Sequence, residues 1–184
     1  MEPKAENYTE EAWAAISSSQ YIAKGRSHQQ IETEHLFLAL INQNDLTTKI
    51  LKNAGASINS LKVKLEIFLK EQPKLRSSPE LIYLGKSLIT VLEKADKSRE
   101  ILEDGFISVE HLLLGLSSDK RCAADFLSKE GVTESKINSA INILRSEVKI
   151  TNQKPEETIA YLERYGRDLT YEAQKGRLDP VIGR

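Results

Sequence analysis

The fold is decided by residues 31–40, IETEHLFLAL, because this stretch returns 76 residues later as ISVEHLLLGL at residues 107–116. The same offset aligns residues 16–71 with residues 92–147 without a gap. A register kept over such a length indicates an internal duplication. The chain is therefore expected to contain two similar units.

Each unit, about residues 5–72 and 78–148, carries apolar residues at helical spacing, which predicts four helices per unit. Small polar residues that can cap a helix precede several of these stretches: Thr9, Thr33, Ser57, Ser78 and Thr133. Pro79 suits the first position of a helix. No stretch alternates as a half-buried strand does, so an all-α fold of eight helices is predicted for residues 1–148.

The third helix of each unit is predicted at about residues 46–54 and 122–130. Gly55 and Gly131 follow these helices at the position where many helices end in a left-handed conformation. Cys122 is interpreted as a small core residue of the second of these helices.

The two units are expected to pack on each other about an approximate two-fold axis, because each alone has a thin core. A groove should remain between them, with matching residues appearing twice around it. Large side chains are placed near this seam: Trp13, Tyr21, Phe37, Tyr83 and Phe106. They are read either as core packing, which is favoured for most of them, or as an exposed apolar groove for peptide segments.

Composition excludes several classes of protein. The 184 residues include 26 Lys and Arg and 27 Asp and Glu. This near balance of charge argues against a protein that binds nucleic acid by itself. Hydrophobic residues make up 40%, which is too many for a disordered chain. Cys122 is the single cysteine and excludes an internal disulfide. No apolar run is long enough to span a membrane and the start is not a signal peptide, so a cytoplasmic protein is expected.

Catalytic motifs are missing from these 184 residues. They contain no Gly-x-Ser-x-Gly, no His-Glu-x-x-His and no phosphate-binding GxxxxGK[ST]. We therefore expect no catalytic residue, no metal site and no cofactor in this chain.

Two residue pairs recur at the start of the second helices. Glu34 and Glu110 either compensate the helix dipole or recognise basic groups of a partner. His35 and His111 are interpreted as hydrogen-bonded structural histidines, since a metal would need further ligands. His28 lies in a polar loop, and no functional role is predicted for it.

The pattern changes after Val148, where residues 149–160 read as a polar linker. The tail at residues 161–184 includes YGRDLT (165–170) and LDPVIGR (178–184) and has no core of its own. With the duplicated Glu-His-Leu units, this tail resembles the Clp family of AAA+ chaperones, and most closely the ClpB-type disaggregases of cyanobacteria. By this resemblance, residues 1–148 are the Clp amino-terminal domain and residues 161–184 begin the first AAA+ module.

The resemblance implies a cytosolic, hexameric chaperone that uses ATP and Mg²⁺ in its full length and extracts aggregated polypeptides together with the DnaK system. It implies that Thr9, Asp104 and Glu110 affect substrate handling. In ClpC-like relatives, residues matching Glu34 and Glu110 bind phosphorylated arginine. Val181, Ile182 and Gly183 match the strip that lies along the nucleotide.

The predicted function is capture of exposed apolar segments of unfolded or aggregated proteins and delivery to the ring pore. The residues predicted to contact substrate are Thr9, Trp13, Glu34, Asp104, Phe106, Glu110 and His111. A first alternative is a docking domain for an adaptor protein or a phosphoarginine degron, as in ClpC- and ClpA-type unfoldases. A second is a cover over the ring entrance. Neither nucleic acid nor a membrane is an expected partner.

Overall fold

A computed structural model of the protein describes residues 3–43, 46–145 and 150–155. Within these residues there are eight α-helices: α1 (Glu10–Gly25), α2 (Thr33–Gln43), α3 (Leu46–Asn53), α4 (Ile58–Glu71), α5 (Lys86–Ile101), α6 (Val109–Ser117), α7 (Ala123–Lys129) and α8 (Glu134–Arg145). A short 3-10 helix covers Ala5–Asn7. The AAA+-like tail with Val181, Ile182 and Gly183 lies outside the described residues.

Several predicted helix ends are confirmed. The hydroxyls of Thr9, Ser57 and Thr133 each accept a hydrogen bond from the backbone N–H three residues later, at 3.3 Å in each case. Gly55 (φ +99°) and Gly131 (φ +71°) follow α3 and α7 in the left-handed conformation that stops a helix.

Two predicted caps are wrong. α5 begins at Lys86, not after Ser78 and Pro79, and its N-cap is Gly85, the residue that the repeat offset pairs with Thr9. Residues 78–85 instead form an extended approach to the helix. Thr33 is the first residue of α2 rather than its cap, because its hydroxyl donates to Asp119 of the second unit at 2.9 Å.

Short extended segments of one unit pair with segments of the other unit, which the sequence analysis did not predict. Strand β1 (Gln30–Ile31) pairs in parallel with β2 (Tyr83–Leu84), and the backbone N–H of Gly85 donates to the Ile31 carbonyl at 2.8 Å. The duplicated counterpart is a parallel bridge between Tyr8 and Ile107. The segment leading into the first helix of each unit therefore pairs with a segment of the other unit.

The core is centred on α2 and α6, which are buried along nearly their whole length. α1 packs on α2, and α5 packs on α6. At Gly115 of α6 the approach is so close that a Cβ atom would lie 2.5 Å from the Val91 carbonyl oxygen. The glycine thus sets the distance between α5 and α6.

Candidate functional site

A first groove lies between α1 and the extended segments of both units. It has a volume of about 210 Å³. Its walls are mainly apolar and are formed by Pro3, Trp13, Ile16, Ser17, Gln20, Ile31, Ile82 and Leu84. Trp13 was among the predicted contacts, whereas Ile82 and Leu84 were not. Both lie between Ser78 and Lys86, where the sequence analysis predicts the start of a helix and the structure has none.

A second groove, of about 240 Å³, repeats this construction on α5. Seven of its residues are the 76-residue counterparts of residues in the first groove: Glu6, Tyr8, Ile89, Leu92, Glu93, Asp96 and Ile107. Pro3 borders both grooves. The duplication has therefore produced two related grooves, each with one wall from each unit.

The two grooves differ in charge. Where the first groove has Ser17 and Gln20, the second has Glu93 and Asp96, and Glu6 adds a third carboxylate. Asp96 is paired with Arg99 at 2.8 Å on the same helix. Burial, together with the charge of Asp96, raises the pKa of Tyr8 to about 12, so its hydroxyl stays neutral. Lys4 also lines the second groove, so its apolar walls carry a rim of three carboxylates and one lysine, which is acidic on balance.

Exposed large apolar side chains neighbour residues of the first groove in sequence. Tyr21 is 77% exposed, and it follows the groove residue Gln20 on α1. Leu81 (69% exposed) and Tyr83 (53% exposed) flank Ile82. Exposed apolar residues next to a groove are typical of a surface that binds other polypeptides.

Glu34 lies inside the domain and already has a cationic partner. Arg121, in the connection between α6 and α7, donates from Nε and Nη2 to the two carboxylate oxygens of Glu34 at 2.8 and 3.0 Å. The side chain of Glu34 is 1% exposed and that of Arg121 30%. The hydrogen bond to Glu34 raises the pKa of Arg121. The pair lies in the wall of a pocket of about 410 Å³, and its arginine is the partner that reaches the surface.

Glu110 is also buried and paired, but with an arginine from another part of the repeat. Arg145, at the end of α8, contacts Glu110 and lies 2.7 Å from Asp104 Oδ2. The repeat offset matches Arg145 with Leu69, so the two glutamates are neutralised by arginines at non-equivalent positions. His111 Nε2 also lies 3.0 Å from Asp104 Oδ2. Burial opposes ionisation of Asp104, but bonds from His111, the Ile150 amide and Arg145 lower its pKa overall.

The paired histidines complete the N-termini of α2 and α6. His35 Nδ1 accepts from the Glu32 N–H, and His111 Nδ1 from the Ser108 N–H, both at 2.9 Å. A side chain three residues after the cap that reaches back to the cap N–H is one half of a capping box. Both rings are almost fully buried and hydrogen-bonded, as expected for structural histidines.

Comparison with known proteins identifies the family. The family model "Clp repeat (R) N-terminal domain" matches residues 7–130. The chain belongs to this Clp repeat family. Over all 184 residues it is 46% identical to "Chaperone protein ClpB 1" of Parasynechococcus marenigrum and 44% identical to "Chaperone protein ClpB" of Prochlorococcus marinus. It spans about a fifth (21%) of the length of each of these two relatives.

Two solved N-terminal domains have the same fold. The Hsp104 N-terminal domain from Candida albicans aligns with a TM-score of 0.73 at 23% identity, over 82% of this chain and 99% of that one. The N-terminal domain of ClpV1 from E. coli aligns with a TM-score of 0.66 at 22% identity, over 82% and 91%. These comparisons confirm the predicted family and its eight-helix fold.

The structure of this Clp repeat domain places most of the predicted contact residues inside it. Five of them are at most 4% exposed: Thr9, Glu34, Asp104, Glu110 and His111. Direct contact with a substrate would require each of them to leave the interior. Phe106 is half-buried and does not line either groove. Of the predicted set, Trp13 lines the first groove, and Glu34 lines a separate pocket of about 410 Å³ beside Arg121, His28 and His35.

In residues 3–43, 46–145 and 150–155 no group of three or more His, Cys, Asp or Glu side chains could hold a metal ion. No helix in the same ranges is both long and apolar enough to cross a membrane.

Proposed function

We propose that the two grooves capture exposed apolar segments of unfolded or aggregated proteins, as the amino-terminal domain of a ClpB-type disaggregase. The observation that carries the proposal is the pair of related, mainly apolar grooves, and the exposed residues Tyr21, Leu81 and Tyr83, which neighbour residues of the first groove in sequence, add apolar surface. An apolar wall binds many sequences, because hydrophobic contact needs no particular pattern of hydrogen bonds.

The acidic rim of the second groove adds a preference for basic segments. Glu6 and Glu93 stand beside the apolar residues Ile89 and Leu92. Charge complementarity of this kind steers a basic segment to the groove and disfavours an acidic one. This assigns to Glu6 and Glu93 the recognition of basic groups that the sequence analysis considered for Glu34 and Glu110.

Each groove is small, so we expect weak and reversible capture by a single domain. In the full-length protein the domain is proposed to be tethered to a hexameric ring that uses ATP and Mg²⁺ and cooperates with the DnaK system. Six tethered copies raise the effective concentration of binding sites, so weak single contacts suffice for capture.

The alternative of phosphoarginine recognition has less support. It would use Glu34 and Glu110 to receive an arginine from outside, whereas both carboxylates already hold a guanidinium of the same chain, from Arg121 and Arg145. An external group would have to displace one of these arginines.

The proposal is tested by measuring binding of the 184-residue chain to a fluorescently labelled, permanently unfolded polypeptide by anisotropy. Ser17→Phe fills the first groove, and Ser135→Phe places the same ring on the exposed surface of α8 as the control. We expect Ser17→Phe to weaken binding at least threefold and Ser135→Phe to leave it unchanged.

A second pair of variants tests the acidic rim. Glu93→Lys should weaken binding of a basic apolar peptide, whereas Glu80→Lys, a charge reversal on the exposed connection between the units, should not. If the unmodified chain binds no unfolded polypeptide, or if Ser17→Phe and Glu93→Lys both bind as well as their controls, the grooves are not the binding site.

A further inference from the structure

The start of the linker is attached to the domain. Ile150 is fully buried, its N–H donates to Asp104 Oδ1 at 2.8 Å, and its carbonyl accepts from the Gly105 N–H at 2.8 Å. Two backbone bonds and a buried side chain hold this residue in place. The sequence analysis assigns this residue to the polar linker at residues 149–160.

A second attachment lies three residues further on, at the N-terminus of α1. The backbone N–H of Glu10, the first residue of that helix, donates to the Gln153 carbonyl at 2.8 Å. The first N–H groups of a helix have no acceptor within the helix, so the linker supplies one. Lys154 Nζ also lies 3.4 Å from Glu10 Oε2.

The buried network behind Asp104 orients the carboxylate that holds the linker. Its Oδ2 atom faces His111 Nε2 at 3.0 Å and Arg145 Nη1 at 2.7 Å, which leaves Oδ1 for the Ile150 N–H. Glu110 holds the other end of the Arg145 guanidinium. The three residues therefore act on the linker through Asp104.

The linker attachment and the second groove are built from the same two segments. Tyr8 and Ile107 line the groove, and the Thr9 N–H donates to the Ile107 carbonyl at 3.0 Å between them. Glu10 and Gly105, two residues along each segment, hold the linker. A change in the spacing of these segments would reach both the groove and the linker.

We propose that Thr9, Asp104, Glu110 and His111 are positioning residues that fix the start of the linker against the wall of the second groove. Their contacts set how the domain is joined to the chain that follows it, and none of these contacts requires a substrate. The attachment is independent of the proposed capture function.

Amide hydrogen exchange of the 184-residue chain, followed residue by residue by NMR, tests this proposal. The Glu10 and Gly105 amides have their acceptors in the linker, so we expect both to be protected. Ile150→Ala removes the buried side chain, and Thr151→Ala changes its exposed neighbour as the matched control. Exchange at Glu10 and Gly105 should become at least tenfold faster in Ile150→Ala and unchanged in Thr151→Ala.

Asp104→Ala should release the same two amides. The α2 amides in Ile150→Ala should exchange at their original rate, which separates release of the linker from general loss of stability. Ile150→Ala should also bind the unfolded polypeptide within twofold of the unmodified chain, because the grooves are intact.

Three results would overturn the proposal. The first is unprotected Glu10 and Gly105 amides in the unmodified chain, and the second is equal protection of these amides in Ile150→Ala. The third is loss of polypeptide binding in Asp104→Ala while both amides stay protected, which would make Asp104 a substrate contact. A chain that binds no polypeptide but keeps these amides protected would contradict only the capture function.

Discussion

His28 Nδ1 lies 2.8 Å from His35 Nε2, and both rings are buried. Because His35 Nδ1 accepts the Glu32 N–H, the proton of the neutral ring is assigned to Nε2 and donated to His28. The repeat offset places Asp104 at the position of His28, and Asp104 receives the same bond from His111 at 3.0 Å. One unit thus supports its histidine with a neutral ring and the other with a carboxylate.

This relationship predicts a loss of stability in acid. Burial, the largest effect, lowers the pKa of His35 to about 4, and burial also lowers the pKa of His28. The unfolded chain, with a His pKa near 6.5, then binds more protons than the folded one between about pH 6.5 and pH 4. Stability should therefore fall as the pH falls through this window, with His35 contributing on the order of 2 kcal/mol.

Urea unfolding at pH 7.5, 6 and 5 measures this loss. In His35→Asn the amide oxygen can still accept the Glu32 N–H, but the titrating group is gone, so the curve against pH should be flatter. Parallel curves for the two proteins would show that His35 does not carry the acid sensitivity.

Gly115→Ala should destabilise the domain by roughly 2 kcal/mol or more, because the added Cβ would meet the Val91 carbonyl and backbone cannot move aside cheaply. Gly25→Ala is the matched control, since a Cβ at that helical glycine meets nothing within 4 Å. The control should be neutral or slightly stabilising. Equal midpoints of thermal unfolding for the two variants would contradict the close approach of α5 and α6.

Arg145→Met should cost much more stability than Arg121→Met. Arg145 is 7% exposed, and its removal leaves the buried Glu110 and Asp104 without their cation, which typically costs about 3–5 kcal/mol. Arg121 is 30% exposed, so water can replace it beside Glu34, and a loss of about 1 kcal/mol is expected. Urea unfolding at pH 7 compares the two, and a larger loss in Arg121→Met would contradict this order.

Cys122 should react with thiol reagents only when the domain opens. It is 2% exposed, and burial, the largest effect, raises the pKa of its thiol, so the reactive thiolate is scarce at neutral pH. Labelling with a disulfide reagent at pH 8 should be at least a hundredfold slower in buffer than in urea. Comparable rates in both would place the thiol at the surface.

Most of the fold could be predicted from the repeat. The offset and the helical spacing gave the number and order of the helices, and local rules gave the caps at Thr9, Ser57 and Thr133. The start of α5 was missed because Ser78-Pro79 carries a strong local signal, although the offset from Thr9 points to Gly85. Glu32 of the first unit caps that helix instead, because its carboxylate accepts a hydrogen bond from the Leu88 N–H at 3.2 Å. A contact between residues so far apart in sequence cannot be predicted from a local pattern.

The site could be predicted only in outline. A groove between the units followed from the duplication, and Trp13 from its position on α1. The remaining wall comes from extended segments of two or three residues, which are too short to show strand periodicity. The burial of Glu34 and Glu110 could not be predicted, because the arginines that neutralise them lie 87 and 35 residues away in sequence. These arginines occupy positions that are not equivalent in the two repeats. The offset could have identified His28, since it matches Asp104.

Each groove takes one wall from each unit, which constrains how such a protein can have originated. A gene for a single unit would yield a finished groove only as a symmetric homodimer, whose two grooves are identical by necessity. Joining the copies in one gene removed that identity. The two grooves have since diverged in charge within one molecule, because Ser17 and Gln20 of the first groove correspond to Glu93 and Asp96 of the second.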